Sequence, residues 1–225
     1  MIRELRSLGL LAGALAAAAL IIPLPGHAQT AQDICGPPKA GISCGPGNDR
    51  RTAGGAGTGN VPHGDEAGRR WPAVSGILWI VQTAPGSHKM LGGPKNDELL
   101  AHHGSDRLSG AGGNDILWGD YDPRNNSSSQ RDYLSGGSGD DWIYPSHGRT
   151  TVRGGPGRDY VYAFYGKGTI DCGPGPDVAR IRTNGAFKTR NCEKIKHFCA
   201  HGSDPKTGAC LSPSGKPVAN SRRTG

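Results

Sequence analysis

The pattern Gly-Gly-x-Gly-x-Asp appears in GGSGDDWIY at residue 136 and again in GGPGRDYVY at residue 154, an offset of 18. Written in that register, the chain resolves into units that begin at Gly92, Gly110, Gly136, Gly154 and Cys172, with steps of 18, 26, 18 and 18 residues. The long step is 18 plus eight, and the surplus falls in GDYDPRNNSSSQRD (119–132), whose composition marks a surface loop. A held interval is the signature of a solenoid, and an insertion in one turn leaves the stacking of the flanking strands intact.

Each unit divides into two nine-residue halves, a turn and then a short strand. The eighth position of each half is apolar: Leu99, Leu108, Leu117, Leu134, Ile143, Val152, Val161, Ile170 and Ala179. A three-residue strand sends its middle side chain to one face and its ends to the other. The expectation is an all-β parallel β-roll, a two-sheet solenoid with 18 residues per coil and a thin core between the sheets. Composition agrees, because 38 glycines and 17 prolines beside 34% apolar residues suit a turn-rich repeat rather than a conventional core.

The units also carry a chemistry. Glycine reaches backbone conformations closed to other residues, so a Gly-Gly-x-Gly turn can aim several carbonyl oxygens at one point. Coils of 18 residues stack Asp97, Asp115, Asp141, Asp159 and Asp177 on one edge, at a spacing of about 4.8 Å where bare carboxylates repel. Calcium takes 6 to 8 oxygen ligands in irregular geometry, so carbonyls from successive turns bridged by aspartates suit it better than magnesium. Five turns leave four gaps, hence up to four calcium ions on this edge.

These residues resemble the RTX-type, or haemolysin-type, calcium-binding nonapeptide repeats, with consensus GGxGxDxUx where U is large and apolar. GGSGDDWIY and GGPGRDYVY match at every fixed position; GAGGNDILW departs at Ala111, CGPGPDVAR at Cys172 and Ala179, and GGPKNDELL at Lys95. The likeness spans residues 83–180 and implies carbonyl ligands from the turns beside the aspartates. The turn glycines so implicated are Gly110, Gly112, Gly113, Gly136, Gly137, Gly139, Gly154, Gly155, Gly157, Gly173 and Gly175. Lys95 puts the gap between Asp97 and Asp115 in question. The ending IDCGPGPDVARIRTNGAFKTRNCEKI is also similar to the close of secreted bacterial repeat proteins known only as calcium-binding.

The opposite edge keeps Gly86, Gly104, Gly148 and Gly166 but only Asp106 and Asp132 as acids, with His88, His102, His103, His147 and Tyr165 instead. Imidazoles near Asp120, Asp122 or Asp132 could hold zinc, so a metal-dependent hydrolase is the alternative to a non-enzymatic binding or structural module. HExxH, the zinc-hydrolase motif, is absent from the sequence. The outer face of one sheet should carry Ile116, Trp118, Trp142, Tyr144, Tyr160 and Tyr162. The other should carry Arg107, Ser109, Tyr133, Ser135, Thr151, Arg153, Thr169 and Asp171. Either the aromatic sheet is an open contact surface for glycan or protein, or it is covered from within by the leader or the tail.

Four segments are expected. Residues 1–28 have the layout of a signal peptide, with Arg3 and Arg6 before an apolar run, Leu8 to Ile22, that falls short of the ~20 residues of a membrane span, and a small-residue site ending at Ala28. Export to the extracellular space or cell surface follows, with no membrane span and no nucleic-acid motif. Residues 29–70 read as a disordered Gly-rich leader, 71–192 as the roll opened by a capping strand in WPAVSGILWIVQ, and 193–225 as a basic tail. Six cysteines permit 15 pairings, and sequence neighbours (35 with 44, 172 with 192, 199 with 210) are the expectation. Residues 186–225 hold eight Lys/Arg against Glu193 and Asp204, so the body between signal and tail is formally neutral.

Overall fold

The computed structural model describes residues 35, 42–46, 74–81, 86–120, 128–183, 185–199, 201–205, 207 and 209–222. Its strands are β1 Ile42–Pro46, β2 Ile77–Val81, β3 Lys89–Leu91, β4 Glu98–Leu100, β5 Arg107–Gly112, β6 Ile116–Trp118, β7 Arg131–Ser138 and β8 Trp142–Tyr144. There follow β9 Arg149–Arg153, β10 Tyr160–Ala163, β11 Lys167–Asp171, β12 Val178–Arg182, β13 Ala186–Arg190, β14 Lys194–Phe198, β15 Ala209–Leu211 and β16 Pro217–Arg222. All of the signal-like segment, most of the leader and residues 121–127 of the long loop lie outside the described residues.

Alternate strands of the repeat go to opposite sheets, as a coil requires. One sheet runs β1-β2-β4-β6-β8-β10-β12-β14 and the other β13-β11-β9-β7-β5-β3. Pairing within the coils is parallel and in the repeat register: Leu117 lies beside Ile143 and Leu134 beside Val152, so the 26-residue coil stacks as though its eight extra residues were absent.

All nine inward positions expected from the repeat are buried to 1% exposure or less, with Met90 added at the first coil. Facing ladders from the two sheets, such as Leu117, Ile143 and Val161 against Leu134, Val152 and Ile170, form one continuous core. β9 shows the alternation behind this, with Thr150 and Val152 buried and Arg149, Thr151 and Arg153 exposed. Each coil buries little, so its stability comes from its neighbours.

Both ends differ from expectation. β1 falls inside the stretch read as a disordered leader and pairs antiparallel with β2, so β2 is not the terminal strand of its sheet. An uncovered β2 edge would present unpaired N–H and C=O groups, and a five-residue partner removes that exposure. At the other end β14 adds to the first sheet through Val178↔Lys194, carrying the roll past residue 192 to Phe198. Three disulfides join Cys35 to Cys44, Cys172 to Cys192 and Cys199 to Cys210, the neighbour pairing. The last crosslinks the segment that leads into the β15–β16 hairpin.

Candidate metal centre

The five repeat aspartates form one column. Asp97 is 1% exposed and the other four are wholly buried. Each backbone N–H donates to the carboxylate one coil further on: Asp97 to Asp115 Oδ1 at 2.8 Å, Asp115 to Asp141 at 2.8 Å, Asp141 to Asp159 at 3.0 Å and Asp159 to Asp177 at 2.7 Å. The Asp177 N–H donates to Glu193 Oε2 at 2.8 Å, so Glu193 continues the column. The repeat arithmetic misses it because the last step shortens from 18 residues to 16.

A second ladder runs beside the first in the opposite sense. The Asn114 N–H donates to Asn96 Oδ1, the Asp140 N–H to Asn114 Oδ1 and the Arg158 N–H to Asp140 Oδ1, at 2.7, 2.8 and 2.9 Å. At these turns position five, which carries no consensus residue, reaches back one coil while the aspartate reaches the other way, so the first four turns are stitched twice by side-chain acceptors. Position five of the last turn is Pro176, which has no N–H to give, so that step lacks the second bond.

These bonds use one oxygen of each carboxylate. The Oδ2 atoms of Asp115, Asp141, Asp159 and Asp177 are buried with no hydrogen-bond partner, an arrangement that costs free energy unless something else satisfies them. Burial pushes Asp115, Asp141 and Asp159 up to about 8, opposed by the N–H of the preceding coil and reinforced by the neighbouring carboxylates. Burial likewise raises Asp97 and Asp177.

The first glycine of each turn leaves the space these oxygens face. A Cβ at Gly136 would strike Asp141 Oδ2 and stand 2.8 Å from the Gly154 carbonyl oxygen, and one at Gly110 would strike Asp115 Oδ2 and stand 2.5 Å from the Gly136 carbonyl oxygen. Gly154 stands likewise to Asp159 Oδ2 and the Cys172 carbonyl. One orphan carboxylate oxygen and the carbonyl of the next coil thus border the same gap. At turn positions two and four Gly137, Gly139, Gly155 and Gly157 have φ of 120°, 124°, 122° and 148°, which a side chain rarely permits. Ala111 holds that conformation at φ 78° without glycine's freedom.

Among the described residues, no three His, Cys, Asp or Glu side chains converge as a metal cluster. A cation in these gaps would be held by one or two carboxylates and otherwise by main-chain carbonyls, an all-oxygen donor set suited to a hard ion of irregular coordination. The residues present fit calcium.

The first turn is built differently. Asp97 accepts from the Ile77 and Gly93 N–H groups, both at 2.5 Å, so both of its oxygens are engaged by backbone. Lys95, at position four, is absent from the non-glycine residues of positive φ, which among the described residues are Ala111 and Asn191.

On the opposite edge His88 donates its N–H to Asp106 Oδ1 at 2.7 Å, with Nδ1 3.1 Å from the same oxygen. His102 and His103 meet edge to face, and His147 stacks on Tyr165 with ring centroids 4.1 Å apart. The His147 N–H donates to Asp120 Oδ2 at 2.9 Å, and Gln130 Nε2 donates to the same oxygen. The histidines are distributed along the edge rather than gathered at one point, and nothing there favours a hydrolase. Asp122 lies outside the described residues.

Of the two readings of the aromatic sheet, its burial and the Phe198 contact fit the covered one. Trp142, Tyr144 and Tyr160 are 5%, 3% and 3% exposed, and only Trp118 and Tyr162 are half-buried. Rings on strands about 4.8 Å apart pack on one another: Trp118 stacks on Tyr144 at 4.4 Å and Tyr162 on Phe198 of β14 at 5.0 Å, with Arg180 over both rings of the second pair. The ladder forms a second apolar cluster with Ile116 and Val178.

Fold and column together define a parallel β-solenoid whose coils are joined at stacked Gly-Asp turns. The RTX calcium-binding nonapeptide repeat family matches in four copies over residues 90–120 and 127–146, so that stretch of the roll carries RTX calcium-binding repeats. The same geometry continues through Asp159 and Asp177, beyond the matched span. No curated protein and no solved structure matches the chain. No helix among the described residues is long and apolar enough to cross a membrane.

Proposed function

We propose that this is an exported, non-enzymatic calcium-binding roll that serves as an extracellular or cell-surface structural and binding module, freed from its signal segment near Ala28. Calcium is part of the fold. The ligands are Asp115, Asp141, Asp159 and Asp177 with carbonyls of the adjoining glycine turns, in the gaps 115/141, 141/159 and 159/177. The gap 97/115 is a weaker fourth place because Asp97 is already engaged. The observation that carries this reading is the orphan oxygen repeated at four successive coils, three of them bordering the carbonyl of the next coil. A single such atom could be an accident of one turn; a column of them calls for a repeating counter-charge.

A glycan or protein contact on the aromatic sheet would have only the half-buried Trp118 and Tyr162 to grip, so that sheet is read as packing. We also take residues 71–192, extended by β14, as the calcium-binding unit.

The test is far-UV circular dichroism of the mature chain in chelator and during calcium addition, with elemental analysis of the loaded protein. β-structure should grow with calcium and saturate at three to four ions, because binding that requires the ordered site appears as folding free energy. A spectrum indifferent to calcium, or zinc in place of calcium, refutes the proposal.

A further inference from the structure

The formal neutrality of the body hides a segregation of charge. Its repeat aspartates are buried in one column, whereas the outer face of the six-stranded sheet collects exposed cations. In the register of that sheet Arg131, Arg149 and Lys167 are direct neighbours on β7, β9 and β11. A second row places Lys89 beside Arg107 at one end and Lys188 beyond Thr169 at the other. The third row sets Arg153 and Arg190 on either side of Asp171. All eight cations are exposed; six belong to the neutral body, and Lys188 and Arg190 come from the basic stretch that follows it.

Asp171 is the one acid in these rows, and it is taken by Arg190 at 2.6 Å. None of the other seven cations has a carboxylate within ion-pair distance among the described residues. Like charges directly opposite on neighbouring strands are destabilising. The row Arg131, Arg149, Lys167 repeats that juxtaposition at about 4.8 Å with nothing in the described chain to offset it.

We propose that this face binds a linear acidic polysaccharide, its carboxylate or sulfate groups lying along the cation rows. Charge complementarity selects an anion, and the in-register rows that cross β7, β9 and β11 select an extended chain. Thr151, Thr169, Ser109 and Ser135 stand between the cations and offer hydroxyls to sugar oxygens. Nucleic acid is less well served: among the described residues the face has no helix to enter a groove, and its aromatic ring, Tyr133, already lies under Arg107 and Arg153 at 5.0 and 5.6 Å. The site shares no residue with the calcium column, and the calcium-loaded form is the one to test.

The experiment measures binding of the calcium-loaded protein to dextran sulfate, hyaluronate, neutral dextran and duplex DNA over a series of salt concentrations. Both acidic polysaccharides should bind with affinity that falls steeply with salt, and neutral dextran should not. The triple variant Arg131→Gln, Arg149→Gln, Lys167→Gln should weaken binding at low salt by roughly 10-fold or more and flatten the salt dependence. The variant Lys194→Gln, Lys196→Gln, Lys216→Gln should leave both unchanged. Calcium stoichiometry and circular dichroism report folding of each variant, and protection of Arg131, Arg149 and Arg153 from phenylglyoxal by dextran sulfate tests the face in the unaltered chain. Unchanged binding in the first variant, loss in the second, absence of protection, or tighter binding to DNA than to both polysaccharides overturns the proposal.

Discussion

Replacing Asp141 by asparagine separates a cation-binding column from a merely hydrogen-bonded one. The amide side chain would keep an oxygen acceptor for the Asp115 N–H, now bonded at 2.8 Å, while removing a charge from the gaps on both sides. With free calcium at 100 times Kd, each ion contributes about 2.7 kcal/mol to stability, so emptying two gaps removes about 5 kcal/mol. Asp177→Asn touches one well-furnished gap and should remove about half as much. Chelator should invert the order: the substitution relieves a buried, partnerless carboxylate oxygen, so D141N should retain more β-structure than the parent when calcium is withheld. Denaturant unfolding with and without calcium, followed by circular dichroism, measures both signs, and calorimetry counts the ions. Equal losses at positions 141 and 177, or the same effect with and without calcium, would refute the reasoning.

Two further substitutions probe the backbone and the end of the stack. Gly155→Ala puts a Cβ into the Gly137 carbonyl at φ 122°, whereas Gly202→Ala at φ 80° meets nothing within 4 Å. The second should cost about 1–2 kcal/mol, the ordinary penalty of a left-handed residue, and the first distinctly more with loss of calcium binding; thermal unfolding and calorimetry compare them. Removing the Cys172–Cys192 bridge, which spans 20 residues, as Cys172→Ala, Cys192→Ala should cost about 3 kcal/mol, with hydrogen exchange rising first in β12, β13 and β14.

The parts of this molecule legible in the sequence are those governed by a period. A repeat of 18 fixes which side chains share a column, so Leu134, Ile143 and Val152 in the core and Asp115, Asp141 and Asp159 on the edge follow from counting. What counting misses is set by contacts the period does not encode. Glu193 joins the column only because the last coil is two residues short, and β1 forms from ISCGP because the edge of β2 needs a partner. The aromatic face looks open when each strand is considered alone; its rings become buried in a stack. The neutral body looks uncharged because a residue count gives a buried Asp141 the same weight as an exposed Arg149.

That difference in weight has an electrical consequence. Because Asp115, Asp141 and Asp159 are buried and raised to about 8, each divalent ion taken up near neutral pH displaces protons and adds a net positive charge smaller than its own two. Filling the column therefore makes the whole molecule more cationic, and the pull of the arginine rows on a distant polymer should strengthen as ambient calcium rises.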